Sequence, residues 1–429
     1  VTERFATMPE RQSSEREKDD KSPEIRSRRE RTFAALQYPN YRLWFQGQVV
    51  SLLGTWMQTT AQGYLIYELT HSPAYLGYVG FAAGVPTWLL TLYGGVVADR
   101  VSRRALMVIT QSAMMVFAFI LAALTFLHVV EPWHVLVLSF LLGVANSFDA
   151  PARQAFVGEM VDREDLTNAI ALNATMFHTA TAIGPAVAGI TYALFGPGWC
   201  FTINGVSFIA VIVALKMMKL KPHVRLAAAG TAFSEFKEGV LYVVRHDVVR
   251  VIIGIIAVNS MFTLSLNTLV PAWSVAILGG DATTNGFLYS ARGVGSLLGA
   301  LMIASLGRIA YRGKLVTIGS FITPVLLMAF SVLHWLPASL AILGGVGLGT
   351  IMVMNLANAL VQTSTPEHLR GRVMGAYTWI FFGFMPVGSL WTGEVAARIG
   401  LSEAVMINGA LALIVAICVW VFFPKLRSR

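Results

Sequence analysis

A chain of 429 residues in which 55% of the side chains are hydrophobic and 13% charged, with a mean hydropathy of +0.64, has more apolar surface than a soluble core can hide. A bilayer core about 30 Å thick takes about 20 mostly apolar residues per helix, and lipid admits only helices or closed barrels; the long unbroken runs here favour helices. Two cysteines, Cys200 and Cys418, leave no room for a disulfide framework.

In chain order, apolar runs centre near Val50, Pro86, Met115, Leu142, Thr181, Phe208, Ser260, Leu298, Pro324, Leu348, Phe382 and Ile414, which predicts twelve spans. An even number returns both termini to one side, and lysine and arginine say which. Of the 32 basic residues, only Arg292 and Arg398 fall in the half of the loops and span ends opposite the termini. Both termini are therefore expected in the cytosol. The net charge of +9 then reflects membrane orientation, and no nucleic-acid partner is needed to explain it.

Residues 1–40 mix nine basic with eight acidic side chains and lack apolar periodicity, so a disordered cytosolic tail is expected, with span 1 as an uncleaved insertion signal. Span 1 carries Ser51, Thr55, Gln58 and Gln62 on one helical face. Span 4 carries Asn146, Asp149 and Arg153, span 7 Asn259, Ser260, Thr263 and Asn267, and span 10 Asn355, Asn358 and Gln362. The first span of each three-span block thus holds a polar stripe, while spans 3, 6, 9 and 12 are uniformly apolar and suit lipid contact. Four such stripes point to a central aqueous cavity between repeated units; each could instead glue neighbouring helices by hydrogen bonds. Gly143 and Gly347 are 204 residues apart, as are Gly189 and Gly393. That spacing divides the chain into 41–217 and 248–423, two six-helix halves, with a basic amphipathic linker at 218–247 and a short tail at 424–429.

The loop after span 2 reads G-V-V-A-D-R-V-S-R-R from Gly95 to Arg104. It resembles the signature of the major facilitator superfamily between its second and third transmembrane helices. Gly95, Asp99, Arg100, Arg103 and Arg104 match, with Val97 in place of leucine and Ser102 in place of glycine. The resemblance implies a latch that holds the halves together when the cavity faces outward: Asp99 against the start of span 11 near Gly371, where a helix dipole favours an anion, and Arg103 against an acid at the inner end of span 4, Asp149 or Glu159. The run Gly184-Pro185-Ala-Val-Ala-Gly189 resembles the span-5 motif of the drug/proton antiporters. F-D-A-P-A-R-Q-A-F, from Phe148 to Phe156, followed by L-T-N-A from Leu166, is similar to the subgroup that includes the enterobactin exporter. The mid-span-4 arginine of many proton-coupled exporters would fall at Ser139.

Other residues stand out by depth. A carboxylate at Asp149 costs about 2.5 to 3.5 kcal/mol at worst on insertion scales, offset by Arg153 one turn later; a proton- or substrate-responsive acid and a plain ion pair both fit. His178 lies near mid-depth in span 5, where a packing role is the simpler reading. Arg292 in span 8 is an intramembrane cation, a functional candidate by default, suited to an anionic or polar substrate, with Tyr377, Trp379 and Phe382 offering aromatic surface. Glu68 and Glu394 fall near the outer interface.

The chain thus reads as an all-α polytopic membrane protein of the major facilitator fold in the cell inner membrane. It is expected to export small amphipathic molecules of drug or siderophore type by alternating access, with proton antiport as one drive and the lipid bilayer, a small-molecule substrate and protons as partners. Importing a solute and a non-transporting membrane sensor are the competing readings. No catalytic residue, metal or cofactor is expected, since neither a nucleotide-cradling loop nor a hydrolase or metalloprotease motif occurs, and a monomer is expected.

Overall fold

The computed structural model describes residues 33–219, 232–306 and 311–426. Most of the expected tail, residues 220–231 of the linker, residues 307–310 and the last three residues lie outside them. Among the described residues the chain is helical throughout: α1 Pro39–Thr70, α2 Pro73–Arg100, α3 Arg103–Phe126, α4 Pro132–Phe156, α5 Leu166–Phe195 and α6 Pro197–Met217. After a linker helix, Ala232–Arg245, come α7 Asp247–Ala276, α8 Ala282–Leu306, α9 Arg312–Ser331, α10 Leu336–Ser364, α11 Glu367–Ile399 and α12 Leu401–Phe422. Ten of these are long and apolar enough to cross a membrane; α1 and α5, of 32 and 30 residues, are as long but are not among the ten.

Local chemistry sets the boundaries. Pro39, Pro73, Pro132 and Pro197 open their helices, where proline's fixed φ suits the first turn and its missing N–H would have had no partner. Gly196 and Gly400, again 204 apart, end α5 and α11 at φ of +86° and +111°, values that side chains resist. Within α7 the helix widens to a π-turn over Asn259–Thr263, the kind of irregularity that frequently marks a functional site.

Asn40 at the start of α1 donates to the Lys219 carbonyl beyond α6 at 2.8 Å, and Arg104 at the start of α3 donates to the carbonyls of Lys216 and Met218. This end of the bundle, which also carries residues 423–426, is the terminal end; the other is the distal end. The buried core is distributed unequally between them. At the distal end one continuous apolar cluster joins Leu65, Leu76 and Leu121 to Leu266, Trp273 and Phe330. At the terminal end there are two clusters, one of Tyr41, Trp44, Met107, Phe156 and Leu215, the other of Ile252, Val316, Leu360 and Val373. Exposed apolar stripes run along α3 (Ile109, Val116, Ile120), α6 (Val206, Ile209, Val213), α9 (Ile318, Ile322, Val325) and α12 (Ile414, Ile417, Val421), the helices expected to meet lipid.

Candidate functional site: a cleft closed at the distal end

Two helix pairs join the clusters, and both do so through small residues. Along α2 and α11, a Cβ added at Gly77 would lie 2.8 Å from the Ser389 carbonyl, one at Gly84 2.6 Å from Pro386, and one at Gly393 2.8 Å from the Pro73 carbonyl. Along α5 and α8, a Cβ at Gly293 would lie 2.3 Å from the Thr181 carbonyl, one at Gly286 2.4 Å from that of Pro185, and one at Gly189 2.5 Å from that of Ala282. Backbone therefore meets backbone along both seams. Pro185 and Gly189 serve the α5–α8 seam, while Gly184 lets α1 approach: a Cβ there would sit 2.7 Å from that of Trp56.

The α2–α11 seam begins at Trp88 and Trp379, whose rings lie 5.3 Å apart. Each is twelve residues from the terminal end of its helix, about 18 Å at 1.5 Å per residue. Beyond them, positions 95, 371 and 375 have nothing within 4 Å of an added Cβ. The expected latch between Asp99 and the helix start near Gly371 is not made in this conformation: the Asp99 carboxylate is 66% exposed and pairs with Arg103 at 3.1 Å. Arg103 also reaches Glu159 at 2.8 Å, so of the two acids considered, Glu159 supplies the contact. Arg100 is exposed, and Arg104 ties α3 to the end of α6.

Asp149 turns away from the cleft. It is 1% exposed and accepts hydrogen bonds from Thr110 at 2.8 Å and Gln111 at 3.0 Å on α3, with Arg153 3.9 Å away. Helix α4 runs through Pro151 unbroken. The Ser147 carbonyl, which proline leaves without a helical donor, is where Gly94 of α2 fits closest.

The stripe on α1 is likewise internal. Gln58 and Gln62 are 4% and 7% exposed; Gln58 accepts from Asn204 of α6 at 2.6 Å, and Gln62 donates to Ser139 of α4 at 2.6 Å. These two glutamines bind helices together within one cluster of spans rather than line an open surface. Asn259 and Ser260 of α7 are buried as well; Asn259, with Thr263, lines a crevice shared with Thr323 of α9 and Val353 of α10. By contrast Asn146 of α4 and Asn355 of α10 are exposed, Asn358 is half-buried and accepts from Gln362 at 2.6 Å, and His178 of α5 is half-buried.

Arg292 and Asn267 come together. Pro271 deprives the Asn267 carbonyl of its donor one turn on, and the Tyr289 hydroxyl replaces it at 2.5 Å. Arg292, on the next turn of α8, donates to the Asn267 side-chain oxygen.

Several contacts had no clear signal in the sequence. Tyr78 of α2 donates to Glu394 of α11, which also meets Arg398, and Tyr192 of α5 donates to Glu68 of α1. Asn408 of α12 donates to Thr392 of α11, which bonds Ser265 of α7. The 204-residue spacing from Asn204 to Asn408, each followed by glycine, was a legible hint of that last network. The linker helix lies on α11: Glu238 pairs with Arg372 at 2.6 Å, and the Phe236 ring sits 5.4 Å from Trp379.

The model of the transmembrane secretion effector family matches residues 30–428. Relatives include the staphyloferrin A transporter of Staphylococcus aureus (strain NCTC 8325 / PS 47), 23% identical over 90% of this chain and 97% of that protein. They also include the multidrug efflux pump Tap of Mycolicibacterium fortuitum, 26% identical over 87% and 93%. The enterobactin exporter of Escherichia coli O139:H28 is 24% identical over 91% and 93%. Among solved structures, a bacterial homolog of the human lysosomal transporter Spinster superposes with a TM-score of 0.70 at 11% identity, over 91% of this chain and 98% of that one.

Proposed function

The chain belongs to the transmembrane secretion effector family of the major facilitator superfamily, and on that premise we propose that it carries small amphipathic molecules out of the cell by rocking two six-helix halves about a shared distal contact. It is a multi-pass membrane protein and a secondary transporter that exports small molecules, not an enzyme. The finer reading has α1 to α12 all crossing the membrane in halves 41–217 and 248–423, and the terminal end, rich in arginine, in the cytosol. The protein works as a monomer in the inner membrane. In that orientation the conformation described here is open to the cytosol.

The observation that carries this reading is the division of the core: one apolar cluster shared by both halves at the distal end, two separate clusters at the terminal end. A pair of rigid bundles touching at one end alone is the geometry from which the other end can close. Closure would bring Asp99 towards the start of α11, where Gly371 leaves the approach free of a side chain. Asn146, Asn355 and Trp379 then face the enclosed space. Proton exchange is a candidate drive, and Asp149, bonded on three sides, is a less exposed proton acceptor than the sequence suggests.

The test is a distance. With spin labels at Arg100 and Arg370, the exposed terminal ends of α2 and α11, the purified protein in lipid should show a long and a short population whose ratio changes with substrate or an imposed pH gradient. A single distance under every condition, together with no efflux from proteoliposomes, would leave the export reading without support.

A further inference from the structure

Arg292 of α8 is half-buried. It neighbours Gly293, whose backbone meets that of Thr181 and Ala182 on the α5–α8 seam, and lies ten residues from the distal start of α8, about 15 Å down and so near the bilayer centre. On α8, Phe287, Val294, Leu298 and Leu301 form the exposed apolar face. Asn285, Tyr289, Arg292 and Ser296, at three- and four-residue spacing, take the opposite face, towards the interior.

A guanidinium at this depth calls for a counter-ion, and among the described residues no carboxylate pairs with it. The membrane-embedded acid, Asp149, is held on α4 by Thr110, Gln111 and Arg153. Arg292 is instead aimed: the Asn267 side chain takes one terminal nitrogen, Tyr289 fixes the Asn267 backbone, and the buried Nε has no partner among the described residues. The edge left over, Nε–H with the second terminal nitrogen, is the pair of parallel donors that fits a carboxylate.

Resting on the export reading, we propose that Arg292 is the anion anchor of the transported molecule, and that the substrate class is an amphiphile bearing a carboxylate. The Trp88–Trp379 pair, at the start of the other seam, offers its apolar body a surface at similar depth.

The test uses a matched pair of probes, 11-(dansylamino)undecanoic acid and its carboxamide, with binding to the purified full chain read by energy transfer from tryptophan. The wild type should favour the acid at least tenfold, and Arg292→Gln should bring the ratio close to one. Asn267→Asp is the second variant. It keeps the arginine, places a fixed carboxylate beside it, lowers the burden of an unpaired charge and so should assemble, yet it too should bring the ratio close to one. A wild-type ratio near one, or a preference that survives both substitutions, overturns the anchor. Efflux of neutral dyes by the same variants distinguishes the two failures: if it continues, the export reading stands without the anchor, and if the wild type moves nothing, that reading fails whatever the binding ratio.

Discussion

The distal and terminal ends of this bundle are built from the same helices and differ in how those helices meet. At the distal end glycine on α2, α5, α8 and α11 brings backbones into contact, and a single apolar cluster draws on all of α1 to α12. At the terminal end the core is divided into two clusters, one drawn from α1 to α6 and the other from the linker helix, α7 and α9 to α12. The lesson is that tightness here comes from missing side chains, whereas the chemistry usually associated with gating, the acid and arginines from Asp99 to Arg104, makes its ion pairs among the described residues only within α2 to α4 and the turn that follows.

The sharpest way to break this comparison is to add bulk at each end. Gly293→Val would drive a side chain into the Thr181 carbonyl and the Ala182 backbone, neither of which can yield, so dye efflux should fall to background and the distal contact should open. Gly375→Val, with free space around it, should leave expression and monodispersity unchanged on size exclusion. Equal outcomes for the two would mean that the ends do not differ as described.

A smaller effect is expected at the latch. Asp99→Asn keeps the side chain's shape but removes its charge towards Arg103 and the α11 start; efflux should drop several-fold with expression nearly intact, and unchanged efflux would take Asp99 out of the cycle. Smaller again is the loss inside one half. Asn204→Leu leaves the Gln58 oxygen without its donor, a penalty of about 1 to 3 kcal/mol, and should show as a lower melting temperature with the distance distribution between Arg100 and Arg370 unaltered. The least effect belongs to Tyr78→Phe, which removes one hydrogen bond to Glu394 across the distal seam. At about 1 kcal/mol it should bias the two populations modestly towards the distal-open form.

The sequence made the helices and their order legible because hydropathy and helix-opening prolines are local signals, whereas exposed apolar stripes run along α5 and α8 as well as the four spans singled out for lipid. Which face of a polar stripe is buried is not local. Ser51, Gln58 and Gln62 share one face of α1, but only the position of Asn204 on α6 and Ser139 on α4 decides that this face is internal. Asn146 and Asn355 belong to similar stripes and are exposed, so identical periodicity led to different surroundings. Asp149 was legible as a costly acid, though its partners on α3 were not. Arg292 and Asn267 were each conspicuous; their pairing depended on Pro271 releasing a carbonyl to Tyr289, a contact between helices that no spacing within one helix reports.

The glycine seams also bear on how fast such a protein can turn over. Where long side chains interdigitate, one bundle must be lifted out of the other's grooves before it can tilt, and that separation is a barrier. Where glycine brings main chain against main chain there are fewer teeth to disengage, so α2 can roll on α11 and α5 on α8 as a shaft turns in its bearing while the distal contact is exchanged for one at the terminal end.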